Sequence, residues 1–362
     1  MGFNGFGILV GFSFLIYAVN QVKSSYITWD DIKIEEYYHY KEIESLSFGD
    51  GNGSKVIIVD QKGKGHAHTV QAAVDMVPFN NSIRVKIYIL PGFYRDACCR
   101  EKVIVPPSKP YISFIGDEKK ASETILSWND KASDKYKDGS ELGTYRTASV
   151  DVQSDYFCAS GITIQNTVVA VAGGYKQQAV ALRLAGDKAM LYRVRILGTQ
   201  DTLLDSNGSH YFYQCYIQGS IDFIFGESRS LYRECNLHSV ADKYGAIAAH
   251  HRNSEEEDTG FSFLNCSITG SRGGKIYLGR AWGNYSRAVY SYCDIDNIID
   301  PSGWSDWNHP WRQRTVVFGE YECRGKGANR KNRVSWSKSL AHVEAMPFLD
   351  TNFIGGHEWL RL

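Results

Sequence analysis

The chain has 362 residues, 43% hydrophobic and 22% charged, and its 40 basic and 40 acidic side chains cancel, so no net field draws it onto nucleic acid or anionic lipid. Its 23 Tyr, 17 Phe and 8 Trp against 8 Pro favour strands and sugar-stacking surfaces over helical bundles. This length suits a single β domain.

The first element is a targeting segment. The run GILVGFSFLIYAV, Gly7 to Val19, is uncharged and too short for the roughly 20 residues a spanning helix needs. No Lys or Arg precedes it. Residues 1–25 are read as a signal peptide, 26–54 as an N-terminal extension and 55–362 as the functional domain. Sequons at Asn52, Asn80, Asn207, Asn265 and Asn284 agree with a secretory route. Asn265 falls in an apolar strand pattern and is expected to stay unmodified.

TVQAAVDMV, Thr69 to Val77, predicts a short N-terminal cap helix. Downstream, one phrase recurs: LYRVRI from Leu191, FYQCYI from Phe212, LYRECNL from Leu231, FLNCSI from Phe263 and YSYCDI from Tyr290. The steps from Val194 through Cys215, Cys235, Cys266 and Cys293 are 21, 20, 31 and 27 residues. Such strand phrases cannot bury their apolar face alone, and stacking successive turns solves this. The expected fold is all-β, a right-handed parallel β-helix. Leucine-rich phrasing is absent. The cysteines then form a buried ladder, with a Cys215–Cys235 disulfide left open. No Cys/His spacing suits zinc, and His66, His68, His250 and His251 are read as structural.

Three polar positions share the coil period: Gln178, Gln200 (beside Asp201) and Asp222, each 22 residues apart. Stacked about 4.8 Å apart, they bring two carboxyls and two amides to one patch. An Asn/Gln ladder that only satisfies hydrogen bonds is the plainer alternative, but an unpaired buried carboxylate is costly. Amide donors beside a carboxylate suit acyl transfer: one carboxylate attacks, the amides hold the oxyanion, and a second, protonated carboxyl serves the leaving group. Arg280, in YLGRAWG, is the natural partner for one aspartate, and Trp282 offers a flat face to a sugar. Strict alternation would point Gln200 and Asp201 to opposite faces, so a bend or bulge is expected there.

GFYRD (Gly92 to Asp96), QAVALR (Gln178 to Arg183), QDTL (Gln200 to Leu203), DFIFG (Asp222 to Gly226) and LGRAW (Leu278 to Trp282) resemble, in order and spacing, the signature blocks of plant pectin methylesterases. The likeness runs from about Val56 to about Trp359. It implies Asp222 as nucleophile, Asp201 as acid and then base, and Gln178 and Gln200 as the oxyanion hole. Arg280, Trp282, Thr144 and Trp304 would be substrate contacts, with no cofactor and no metal. The implied substrate is methyl-esterified homogalacturonan, acted on in the plant cell wall by a secreted monomer that proteinaceous inhibitors of the family would cover. No nucleic acid and no membrane partner are implied. The short extension matches the subgroup without the inhibitor-like pro-region. Ala281 stands where the family usually has Pro, Asp96 where it has Glu, and Leu204 where many members carry an aromatic residue.

Four rival readings stand beside this one. Polygalacturonase and pectate lyase on the same fold lack their acidic blocks here, and no GxSxG elbow supports a serine esterase. A pectin-binding wall protein without turnover would keep the fold and release no methanol. The basic stretch Arg324, Lys326, Arg330, Lys331 and Arg333 would favour a polyanionic product, or be a solvated loop.

Overall fold

The structure, a computed structural model, describes residues 26–34, 55–95, 102–171, 173–271 and 273–362. The targeting run, Asn52, Asp96 and two of the eight cysteines, Cys98 and Cys99, lie outside them. The strands are short and pair in parallel with the next coil, as a repeat that cannot bury its own face requires. Three sheets run the length of the molecule: one of eleven strands from Lys55–Val59 to Lys338–Ser339, and two of eight. The first eight-stranded sheet runs from Gly92–Tyr94 to Asp294–Ile295, the second from Val103–Val105 to Trp304–Ser305. The result is a parallel β-helix. Helix α1, Val70–Asp75, caps its start, with the Thr69 side chain accepting from the Ala72 amide.

The interior is a set of ladders. Phe212, Tyr232, Phe263 and Tyr290 stack ring on ring, with centroids 4.4, 4.8 and 4.4 Å apart, close to the strand spacing. Beside them Cys215, Cys235, Cys266 and Cys293 are buried with free thiols, and Cys323 continues the series. Each thiol donates to a carbonyl of the coil before it, as from Cys266 to Tyr232 O at 3.3 Å and from Cys293 to Phe263 O at 3.3 Å. Asp205 is fully buried, bonded at 2.5 Å to His210 and at 2.5 Å to the Tyr232 hydroxyl. Burial opposes its ionisation, yet the His210 charge and these bonds hold its pKa below the usual value.

The corner preceding the cysteines has a fixed backbone form. Arg193, Gln214, Glu234, Asn265, Tyr292 and Glu322 all have positive φ, between 49° and 56°. Each stands one residue before Val194 or a ladder cysteine. Asn265 therefore sits exposed on a corner and not in a strand, which corrects its sequence reading.

The outer face of the eleven-stranded sheet is covered by both ends of the described chain. Ile27–Thr28 pairs with Leu360–Arg361, and Ile32, Phe348, Ile354 and Trp359 pack with Met190, Leu231 and Val289. Residues 26–34, part of the extension in the sequence reading, thus lie directly on the coil.

Candidate active site

The register of the second eight-stranded sheet builds the site. Leu182 pairs with Leu203 and Leu203 with Ile224, so neighbouring coils here are offset by 21 residues. The 22-residue ladder expected of Gln178, Gln200 and Asp222 is therefore corrected. Gln200 bridges Ile221, and Asp201, whose amide donates to Ile221 O, stacks on Asp222. Both aspartates adopt left-handed conformations, with φ of 60° and 47°. That turn frees Asp201 from strand alternation, so the bend expected beside Gln200 is present without a bulge. Gln178 lies one coil earlier, where Ala179 donates to Gln200 O.

Alternation supplies the next row. Arg183, Leu204, Phe225, Ala249, Arg280 and Ser305 pair in sequence along the outer face. The single methyl of Ala249 leaves a hollow between Phe225 and Arg280. Arg280 reaches back across it to Asp222, its Nε donating to Oδ1 at 2.7 Å and Nη2 to Oδ2. This is the two-pronged geometry that only a guanidinium offers a carboxylate. Arg280 is itself fixed: Nη1 donates to the Tyr244 hydroxyl at 2.9 Å, and Trp307 lies 3.7 Å from the guanidinium carbon.

One cleft of about 240 Å³ is lined by Thr144, Gln178, Gln200, Asp201, Asp222, Arg280 and Trp282, with Trp307. Trp282 leans on Phe225, 6.0 Å away, and on His251, 4.4 Å away. Thr144 opens a short turn tied down by Thr147, whose hydroxyl donates to Thr144 O and accepts from the Val180 amide. Gln178 Oε1 is buried with no hydrogen-bond partner, so an amide in this cleft has polar capacity unused.

Trp304 does not reach the cleft. It pairs with Gly279 on the inner face, is 1% exposed, stacks on Phe318 at 4.5 Å and donates to Glu320. A Cβ on Gly279 would stand 3.0 Å from the Trp304 ring, so the glycine makes the space for the indole. Trp307, the other tryptophan of GWSDW, lines the cleft instead, and the signal that finds it is alternation from Ser305 outward. Sequence reasoning also missed Tyr145, Phe225, Ala249 and Tyr244. Leu204 is 1% exposed and packs with Phe225 and Ala249, so it supports the floor of the cleft from below. Of the basic stretch, Arg330 and Arg333 are committed to Glu320 and Arg324 to Asp294.

The electrostatics separate the two acids. Burial, then the charge of Asp222, push the Asp201 pKa well above the usual carboxylate value, against Arg280 and a hydrogen bond from Gln200. Burial also raises Asp222, but the charge and hydrogen bonds of Arg280 work directly against it. The pair therefore favours one proton on Asp201 and the negative charge on Asp222. Among the described residues no group of three His, Cys, Asp or Glu is placed to hold a metal ion.

A parallel β-helix carrying two unlike carboxyls, two amides and flanking tryptophans in one open cleft defines a polysaccharide-acting enzyme of the acid-pair class. The Pectinesterase family model matches residues 56–357, and the chain belongs to that family of carboxylic ester hydrolases. It is 61% identical over 356 residues to pectinesterase QRT1 of Arabidopsis thaliana, covering 95% of this chain and 92% of that one. Pectin methylesterase from carrot superimposes with a TM-score of 0.76 at 32% identity, over 87% of this chain and 96% of the carrot chain. The fold is shared with the Aspergillus niger enzyme, at 24% identity and a TM-score of 0.71, over 84% and 96% of the two chains.

Proposed function

We propose that this enzyme removes C6 methyl esters from homogalacturonan through a covalent intermediate on Asp222. The carrying observation is the two-pronged Arg280–Asp222 pair with the proton-holding Asp201 stacked in the preceding coil. Asp222 Oδ attacks the ester carbonyl carbon, and the amides of Gln178 and Gln200 receive the developing oxyanion. As the tetrahedral species collapses, Asp201 gives its proton to the methoxy oxygen and methanol leaves. An acyl-Asp222 anhydride remains. Asp201, now a carboxylate, takes a proton from water, and the hydroxide formed attacks the anhydride. The sugar acid departs, Asp222 is freed and Asp201 holds its proton again. Trp282 and Trp307 are sugar platforms and Thr144 a contact at the rim.

A solved pectin methylesterase in complex with a hexasaccharide, 22% identical with a TM-score of 0.67, shares the fold, and its ligand agrees with a polymer lying across this cleft. The targeting run and the exposed sequons Asn80, Asn207 and Asn284 support secretion to the cell wall. No helix of the described residues is long and apolar enough to cross a membrane. The enzyme is read as a monomer whose cleft family inhibitors would cover.

The test is methanol release from highly methylated pectin by the purified protein beside Asp222→Asn and Asp201→Asn. Asp222→Asn should lower release by roughly 10³-fold or more, and Asp201→Asn should cripple it less completely. A folded wild type that binds pectin and releases no methanol would leave only the binding-protein reading.

A further inference from the structure

His250 and His251 are neighbours in sequence with opposite fates. His250 ends its strand on the inner face, 1% exposed, its Nδ1 accepting from the Arg287 amide at 3.2 Å. His251 comes one residue later and turns outward. Gly226 pairs with His250 and His250 with Ala281, so one step further the register sets Glu227, His251 and Trp282 side by side on three successive coils. The His251 amide donates to Gly226 O at 2.8 Å and the Gly283 amide to His250 O at 3.2 Å, which carries that register past the end of the strand.

This row is a clamp. Glu227 Oε1 lies 2.9 Å from His251 Nδ1. A carboxylate only accepts, so the bond places a proton on Nδ1 and fixes the ring. The other nitrogen, Nε2, is 3.4 Å from the Asn253 side-chain amide. The imidazole meets the Trp282 indole at 4.4 Å and 43°, and Phe225 is the other ring in contact with that indole, at 6.0 Å. The loop that follows does not depend on this imidazole. Arg252, 6% exposed, ties the loop by donating to the carbonyls of Glu255 and Glu257, and the Asn253 backbone amide donates to Glu257 Oε2 at 3.0 Å.

We infer that His251, held by Glu227, is a positioning residue of the enzyme: it sets the tilt of the Trp282 indole and so the angle at which a galacturonosyl ring stacks there. The inference rests on the esterase reading above. Stacking needs the flat face of the indole turned to the sugar. With the imidazole in place that face is presented before the substrate arrives; without it the indole swings, and ordering it is charged against binding. The stacked sugar is held alike before and during attack on the ester, so the loss falls on KM and not on kcat.

The experiment measures kcat and KM for methanol release from highly methylated pectin. His251→Ala should raise KM about three- to tenfold, with kcat held within about twofold. In a Trp282→Ala background the same substitution should change KM by less than about twofold, because the ring it positions is gone. Glu227→Leu, which unpins the imidazole, should raise KM in the same direction. Glu227→Gln, whose amide oxygen still accepts from Nδ1, should keep the wild-type KM. Thermal melting verifies that each variant is folded, and the Glu227 pair carries the test if His251→Ala does not fold. An unchanged KM, a rise of equal size in both backgrounds, or a fall in kcat at constant KM would overturn the positioning role while leaving the esterase intact. A wild type that releases no methanol would instead overturn the esterase reading, and this role with it.

Discussion

Two corners of this coil use the same backbone device for opposite ends. At the cysteine corner, one residue on each of six successive coils, from Arg193 to Glu322, takes positive φ. Their side chains sit at or near the surface, and the residue that follows each goes into the core. At the other corner Asp201 and Asp222 take the same conformation, but Asp222 is 5% exposed and bound to Arg280. A left-handed L-residue costs about 1–2 kcal/mol. In the first corner that strain closes the coil and delivers an apolar ladder. In the second it lifts two carboxyls out of strand alternation and stacks them. The difference is not in the chain path but in what is buried: an apolar ladder behind the first corner, a carboxylate paired with a guanidinium at the second.

Removing the counter-charge should break the comparison most severely. Arg280→Ala strands Asp222 in its buried setting, and kcat/KM for methanol release should fall about 10²- to 10³-fold. Burial then acts on Asp222 unopposed, so the acidic limb of the pH–rate profile should move to higher pH. Arg280→Lys should recover little, because an ammonium cannot reproduce the two-pronged contact. At the cysteine corner the expectation reverses. Cys266→Ser keeps a donor for Tyr232 O but sets a more strongly hydrated hydroxyl among apolar neighbours, costing about 1 kcal/mol in urea unfolding, with kcat unchanged. A large kcat effect there would show the corners to be coupled.

The cysteine corner was legible in sequence because its period is written in apolar residues: each buried Val or Cys follows an aromatic or aliphatic strand start. The cap helix was legible from Thr69 and the apolar pattern behind it. That Asp201, Asp222, Gln178, Gln200, Arg280 and Trp282 share one cleft was legible from motif and chemistry. Their stacking was not. A one-residue difference in register, 21 against 22, decides whether Gln200 or Asp201 stands over Asp222, and only hydrogen-bonded pairing fixes that. Trp304 and Trp307 were confused for the same reason, since they lie three residues apart across a turn. The pairing of Ile27–Thr28 with Leu360–Arg361 joins opposite ends of the chain and leaves no periodic trace.

Asp201 gives a third test, in stability. Its folded pKa is raised, so the folded state binds this proton more tightly than the unfolded state. As pH rises from the unfolded value near 3.8 through the raised folded value, the native state becomes progressively penalised. Asp201→Asn removes the penalty while keeping the shape. At pH 7 the variant should be more stable by about 1 kcal/mol even as it loses turnover, and the gain should vanish below pH 4. No analogous gain is expected at the cysteine corner, whose positive-φ residues include no buried carboxyl.

The smallest effect separates backbone from side chain. Glu322 is exposed with φ of 49°, so Glu322→Gly relieves about 1 kcal/mol of left-handed strain. It also gives the unfolded chain more freedom, worth about 0.4–1 kcal/mol in the opposite direction. The two nearly cancel, and the urea midpoint should shift by less than the equivalent of about 0.5 kcal/mol. Glu322→Val, β-branched and unsuited to positive φ, should instead lose about 2 kcal/mol. A glycine that cost as much as the valine would mean that Glu322 side-chain contacts, and not coil closure, hold this corner. The shared device would then be only a likeness of angles, and the acid pair at Asp201 and Asp222 would need its own account of why the chain turns there.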